Sequence, residues 1–350
     1  MSGRVRSRVG QRGTISVFFA LLLVFVLGAI TAMAVDIGHL WLVRSQLQNA
    51  ADAAALAGVR DLNGVSTQYP FAISAARNYG SANDADGTHA DIDPGDVVLG
   101  RWDMTNKTFA PTLLPSYAVN AVQVTARRTA ATGNAVDMYF AQLLGIGSQD
   151  VTAQAIAVGG GPSSTCGFVM TLPSCSVLDA FGNLNCSASL TFNSNGNNAA
   201  FTLLTLTVPN TPDLECALGC TLKSMLHIEL PLLSCTCSTN NCMPTSAKTQ
   251  IAISNGNNLS GTMIQFILLA LAAAPSGIDV DLPVFDVPLC PAGNLSSIQT
   301  VVGYVRTRIT GATAAPKKSI TMSLQCSSTS NARPAQNFYG MKSTAVYLAR

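Results

Sequence analysis

The sequence predicts an α+β protein in which a single N-terminal transmembrane helix extends into an exported α+β domain, followed by a cysteine-rich, mainly β domain. Three observations carry this. Residues 13–35 form a run of 23 without a charge; at 1.5 Å per helical residue that is about 35 Å, enough to cross a hydrocarbon core of roughly 30 Å. Helical spacing then continues past Asp36 with no Pro to stop it. All ten cysteines lie between Cys166 and Cys326. The implied organisation is a basic leader over 1–12, a span over 13–35, an α+β domain over 36–158, a linker over 159–165 and the cysteine-rich domain over 166–350.

The leader carries Arg4, Arg6, Arg8 and Arg12 with no acid before Asp36. By the positive-inside rule this end stays cytoplasmic and the body is translocated. Gly13, Phe18, Phe19, Leu22 and Val35 mark the anchor. Ala32-Met33-Ala34 fits a signal-peptidase site, but the apolar run exceeds the usual h-region of about 7–15 residues and the helical pattern runs through the cut. The residues therefore read as a retained anchor.

Beyond Asp36 the apolar positions Ile37, Leu40, Trp41, Leu47, Ala51, Ala54 and Ala55 keep helical spacing. Asp36, Gly38, Arg44, Leu47, Asn49, Ala51, Ala54 and Gly58 mark a helix offered for packing. Its alanine-rich seam permits close backbone approach, either to its own domain or to a partner.

The string RGTISVFFALLLVFVLGAITAMAVDIGHLWLVRSQLQNAADAAALAG resembles the N-terminal segment of TadE/TadG-like proteins of Flp pilus assembly. The family pattern V-D-x-G-x5-R-x2-L-Q-N-A-A-D-A-A-A-L-A-G is met at Val35, Asp36, Gly38, Arg44 and every position from Leu47 to Gly58. A basic leader ending in Gly13 also resembles a prepilin leader, yet Phe18 stands where prepilins carry Glu. A second, weaker similarity runs to residue 158, through Tyr139-Phe140-Ala141, Leu144-Gly145 and the alternating alanines after Val151. The resemblance implies a membrane-anchored accessory or minor pilin-like component of Flp (tight adherence) pilus assembly. Such a protein sits in the bacterial inner membrane with other Flp pilus-assembly proteins as partners. The alternative left open is a membrane-anchored periplasmic or surface binding module, adhesin-like, that merely shares the anchor.

Along the rest of the chain, 66–80 reads as a short helix, and 97–102 with 108–109 as a hairpin. Residues 117–127 and 151–158 alternate as strands, and 134–144 reads as a helix closed by Gly145. The acid-rich loop 81–96 lacks the spacing and terminal Glu of an EF-hand. SNGNN occurs at 194–198 and at 254–258, each after a β-like run, which raises a duplicated hairpin. Residues 263–274 are too few to span a bilayer and read as a buried helix, while 278–287, 301–310, 319–324 and 340–349 read as strands.

The cysteines Cys166, Cys175, Cys186, Cys216, Cys220, Cys235, Cys237, Cys242, Cys290 and Cys326 read as disulfide partners in an oxidising compartment. Cys235 and Cys237 are too close to pair with each other and bond elsewhere; Cys216-x3-Cys220 lacks the common C-x2-C zinc spacing. The sequence holds neither a G-x-S-x-G elbow nor an H-E-x-x-H helix. With a net charge of +2 there is no nucleic-acid footprint. The residues thus imply no catalytic, cofactor or metal site and no small-molecule substrate, only a membrane and protein partners.

Overall fold

The computed structural model describes residues 12–162, 168–186, 189–193, 200–233, 235–237, 250–254, 259–287, 297–326, 328–330, 337–339 and 341–349. One helix, α1 (Arg12–Arg60), runs 49 residues unbroken, about 73 Å at 1.5 Å per residue. Its large apolar side chains from Ile15 to Val35 are all exposed, whereas Val43, Leu47, Ala50, Ala51, Ala54, Ala55 and Val59 are fully buried. The helix therefore divides at Asp36 into a bare rod and a packed half.

The packed half lies on an antiparallel sheet of β1 (Val97–Asp103), β2 (Thr108–Pro111), β3 (Ala121–Arg128) and β4 (Val151–Val158), joined at the edge of β4 by a fifth strand, Tyr347–Leu348. β3 and β4 pair along their full length, from Ala121 opposite Val158 to Arg128 opposite Val151. Their helix-facing residues are small: Val122, Val124 and Ala126 on β3, Ala153, Ala155 and Ala157 on β4. Short side chains on both layers let the backbone of α1 sit close to the sheet.

The helix expected over 66–80 is a 3-10 turn, Ser66–Gln68, leading into α2 (Tyr69–Ser81), which has Pro70 at its start and packs across α1. The crossing is tight. A Cβ at Gly58 would meet Ala72 O and Ala76 Cβ at 3.1 Å, and a Cβ at Gly80 would lie 2.9 Å from Ala54 Cβ. The β1–β2 hairpin is closed by Asp103, whose carboxylate accepts the N–H groups of Thr105 and Asn106.

The second half builds a seven-stranded sheet from β5 (Met170–Pro173), β6 (Ser189–Asn193), β7 (Ala200–Phe201), β8 (Gln250–Ile253), β9 (Ile278–Phe285), β10 (Ser297–Thr313) and β11 (Ser319–Gln325). The order is β6-β11-β10-β9-β5-β7, with β8 also on β10. The helices α3 (Thr211–Leu226) and α4 (Gly261–Ala273) share its main core through Leu214, Leu218 and Leu222, and through Met263, Phe266 and Ile267. Ser260 caps α4 by accepting the N–H of Met263. The expected helix is thus in place, buried on the face of Met263, Ile264, Phe266, Ile267 and Ala270 and exposed at Leu268 and Leu269. The acids that alternate along β9 have a purpose that their spacing alone does not reveal. Asp279 faces Arg308 and Asp281 faces Arg306 across the β9–β10 register, each pair bidentate at 2.7–3.0 Å.

The two halves are laced together by the chain's end. Tyr347–Leu348, now β12, completes the first sheet. Phe338 is buried in the first core, while its neighbour Tyr339 is buried in the second and stacks on Tyr117 at 5.3 Å. Of the segment 159–165, expected as a linker, residues 159–162 are buried and 163–165 lie outside the described residues; a Cβ on Gly161 would lie 2.5 Å from Asn337 O. Glycines serve here for close approach rather than for flexibility.

Three further expectations are corrected. The 134–144 helix is instead a two-residue strand, Val136–Asp137, and a 3-10 turn, Ala141–Leu144. Leu143 and Leu144 find no surface to bury against among the described residues, so no amphipathic helix forms. The final strand over 340–349 is two short ones, Met341–Ser343 and β12. The stretches flanking the SNGNN repeats are not two copies of one hairpin. β6 pairs with β11 and β8 with β10, and the next element is a strand in one case (β7) and a helix in the other (α4). Of the repeats themselves, 194–198 and 255–258 lie outside the described residues.

Candidate functional site

A cluster of hydrogen-bonded and charged side chains lies where α1 passes from bare to packed. Asp36 is the first charged residue after the apolar run and is buried. Its carboxylate accepts the N–H groups of Tyr139, Phe140 and Ala141 at 2.7–3.2 Å. These donors open the 3-10 turn Ala141–Leu144, so an acid on one element caps the start of another. Burial alone would raise the Asp36 carboxyl. The hydrogen bonds from Ala141, Phe140 and Tyr139, with the nearby His39, outweigh it and hold the group below its ordinary value.

One turn further along α1, His39 Nε2 meets Asp86 Oδ1 at 2.9 Å, and its ring lies 4.8 Å from that of Tyr139. Asp86 also takes Arg128 Nη1 on its other oxygen at 2.9 Å, and its N–H donates to Gln46 Oε1. Arg128 Nε donates to Asn134 O. Asp86 and Gly87 both have positive φ, +58° and +73°, the turn geometry of a two-residue hairpin between Asp84–Ala85 and Thr88–His89. The acid-rich loop thus spends Asp86 on α1 and β3, and Asp96 on Arg127. Sequence reasoning missed His39, Asp86 and Arg128; the Asp86-Gly87 pair was the available signal, a hairpin turn that aims an acid.

The anchor residues Gly13, Phe18, Phe19, Leu22 and Val35 all lie in the bare half of α1, with Phe18, Phe19, Leu22 and Val35 exposed. The helix offered for packing splits by face. Asp36, Leu47, Ala51, Ala54 and Gly58 are buried within the chain itself, while Gly38, Arg44 and Asn49 are exposed. The alanine seam is therefore filled in cis. A helix long and apolar enough to cross a membrane begins at Ile15, near the N-terminus.

Residues 13–61 match the family model of TadE/G-like Flp pilus-assembly proteins, and residues 42–157 match that of Tad-like Flp pilus-assembly proteins. Over residues 13–157 the chain is similar to these Tad-like models. The Tad-like region spans the bare rod, the packed half of α1, α2 and strands β1 to β4. Both families are pilus-assembly components rather than enzymes. The fifth strand of the Tad-like sheet, β12, comes from outside the matched residues. No curated protein and no solved structure matches the chain.

In the second half, α3 sets Cys216 and Cys220 one turn apart, and each staples the segment after the helix: Cys216 to Cys235 and Cys220 to Cys237. The close grouping of Cys216, Cys220 and Cys235 sulfurs is the product of these two bonds. Cys186 bonds Cys326 across 140 positions, joining the segment before β6 to the end of β11. Cys175 is also disulfide-bonded. Cys166, Cys242 and Cys290 lie outside the described residues.

Proposed function

We propose that the protein is a membrane-anchored accessory or minor pilin-like component of Flp (tight adherence) pilus assembly. It works by protein–protein assembly and carries out no catalysis. Residues 13–35 hold it in the bacterial inner membrane as a single pass, with the basic leader cytoplasmic and the body exported, forming a Tad-like domain over 36–158 and a disulfide-bonded domain over 166–350. The observation that carries this reading is the unbroken passage of α1 from an exposed apolar rod into the alanine seam of a Tad-like sheet. Because that seam is filled in cis, partners meet the span and the exposed face of α1 at Gly38, Arg44 and Asn49.

Crosslinking of the full chain in native membranes, through a photoreactive residue at Arg44, tests this. Recovery of Flp pilus-assembly proteins supports it; crosslinks to none of them, with the chain correctly inserted, count against it.

A second reading is the adhesin-like binding module. A cleft of about 520 Å³ between the halves, lined by Pro115, Tyr117, Ser174, Asp179 and Asp286 among others, favours it. Loss of surface binding but not of pili on substitution of Asp179 and Asp286 would select it.

A further inference from the structure

The turn that Asp36 holds has an unspent surface. Tyr139, Phe140, Leu143, Leu144 and Ile146 are all exposed, Leu143 and Leu144 at 82% and 84%. No charged residue occurs from Met138 to Gln149. Five large apolar side chains in eight residues, left open to solvent by the rest of the described chain, form a concentrated patch on an otherwise hydroxyl- and amide-rich surface.

The position of the patch identifies what covers it. The body packs on α1 from Asp36 onward, and the large side chains before it are bare. The hydrogen bonds to Asp36 therefore fix the turn at the edge of the body nearest the span. An apolar run of about 35 Å overshoots a hydrocarbon core of roughly 30 Å by a few ångströms, which puts Asp36 at headgroup depth. Trp41 and Leu42, exposed on the next turns of α1, extend the same apolar collar, and exposed Trp is the residue type that settles at this level. A loop entering lipid must satisfy its backbone amides; Asp36 takes those of Tyr139, Phe140 and Ala141, and Leu143, Gly145 and Ile146 donate to carbonyls of the turn itself.

We infer that residues 139–146 dip into the exported-side leaflet beside α1, so that the body stands on the membrane at two points, the helix and this turn. The occupant of the patch is lipid, because the patch is continuous with the span rather than set apart from it. This rests on the anchor reading of residues 13–35. The second contact fixes the tilt of the body over the membrane and its rotation about α1, and so which face of α1 is turned toward partners in the plane.

The test uses the full disulfide-bonded chain in lipid vesicles. Cysteines introduced singly as Leu144→Cys, Val24→Cys and Phe181→Cys are labelled with an environment-sensitive fluorophore, and quenching by acyl-chain-brominated lipid is read. The unsubstituted chain serves as the labelling control, since no cysteine among the described residues is free. Phe181 is 81% exposed and lies beside Gly182, which abuts Pro115; the adjoining Ser116 bonds Gly64 O, beyond the far end of α1. Quenching at 24 and at 144, with none at 181, is expected. Quenching at 24 but not at 144 overturns the inference and leaves the anchor standing. The same pattern, with the label at 144 shielded only when Flp pilus-assembly proteins are added, overturns it in favour of a protein occupant. Quenching at neither 24 nor 144 overturns the anchor reading as well. Leu143→Cys repeats the measurement should the 144 variant fail to fold.

Discussion

The carboxylate of Asp36 accepts the backbone N–H of Ala141 at 2.7 Å across 105 positions of sequence. The bond ties the point where α1 leaves its bare stretch to a turn of the sheet domain that exposes a run of large apolar side chains. A small acid does this because two carboxylate oxygens can serve three amides at once, and a negative charge at the start of a helical turn is favourable.

Replacing Asp36 by Ala removes the acceptor from all three amides. Amide hydrogen exchange at Tyr139, Phe140 and Ala141 is expected to accelerate strongly, while Val122 and Val124 in β3 keep their protection. Asp36→Asn, which retains one acceptor oxygen, falls between the two. Unchanged exchange at the three amides in Asp36→Ala would refute the clamp.

The same contact has a pH dependence of known sign. The Asp36 carboxyl is held below its ordinary value of 3.8, so the folded state favours the ionised form. The stabilisation is fully present above 3.8 and is lost as pH falls through the lowered folded value. Proteolysis within 139–146, followed with an acid-active protease, should stay flat from neutral pH down to that region and then rise. A rise beginning well above pH 3.8 would contradict the assignment to Asp36.

Gly58 sets the α1–α2 crossing. An added Cβ meets the Ala72 carbonyl at 3.1 Å, backbone that cannot swing aside, and Val122 Cγ1 at 3.2 Å. Gly58→Ala is expected to destabilise by about 1–3 kcal/mol as an overpacking change, read as a lowered denaturation midpoint of the full chain in detergent. Gly38→Ala, with nothing within 4 Å, is expected not to lower the midpoint and to raise stability by up to about 1 kcal/mol through helix propensity.

Phe338 lies in the first core although it comes from the far end of the chain. Phe338→Ala is expected to cost about 3–5 kcal/mol, the usual range for emptying a buried aromatic site. It should also increase exchange at Tyr347 and Leu348 by loosening β12.

The Cys186–Cys326 bond closes 140 positions. Its removal by paired Ser substitution is expected to destabilise the second half by about 2–5 kcal/mol. The shift should appear in exchange at β6 and β11 and leave α1–α2 unaffected.

Much of the fold is legible in the sequence because its signals are local. The uncharged run up to Val35, the alternation after Val151 and the apolar block after Met263 each write their element into consecutive residues. The 3-10 turn at Ala141 reads as a helix because Tyr139, Phe140, Leu143 and Leu144 have helical spacing, and only tertiary structure shows that no surface awaits them. The return of Phe338 and Tyr347 to the first sheet is not legible: 340–349 reads as a strand, but nothing in consecutive residues names the distant strand that its end pairs with. The clamp is half legible: Asp36 stands out, but the amides it accepts from lie more than 100 residues away, at separations of 103 to 105.

The most direct test of the central claim, a Tad-like anchored component needed for Flp pilus assembly, is a count of surface pili and tight adherence in a strain lacking the gene. Both are expected to fall and to be restored by the intact chain. Normal pili and normal adherence in the deletion strain would contradict it.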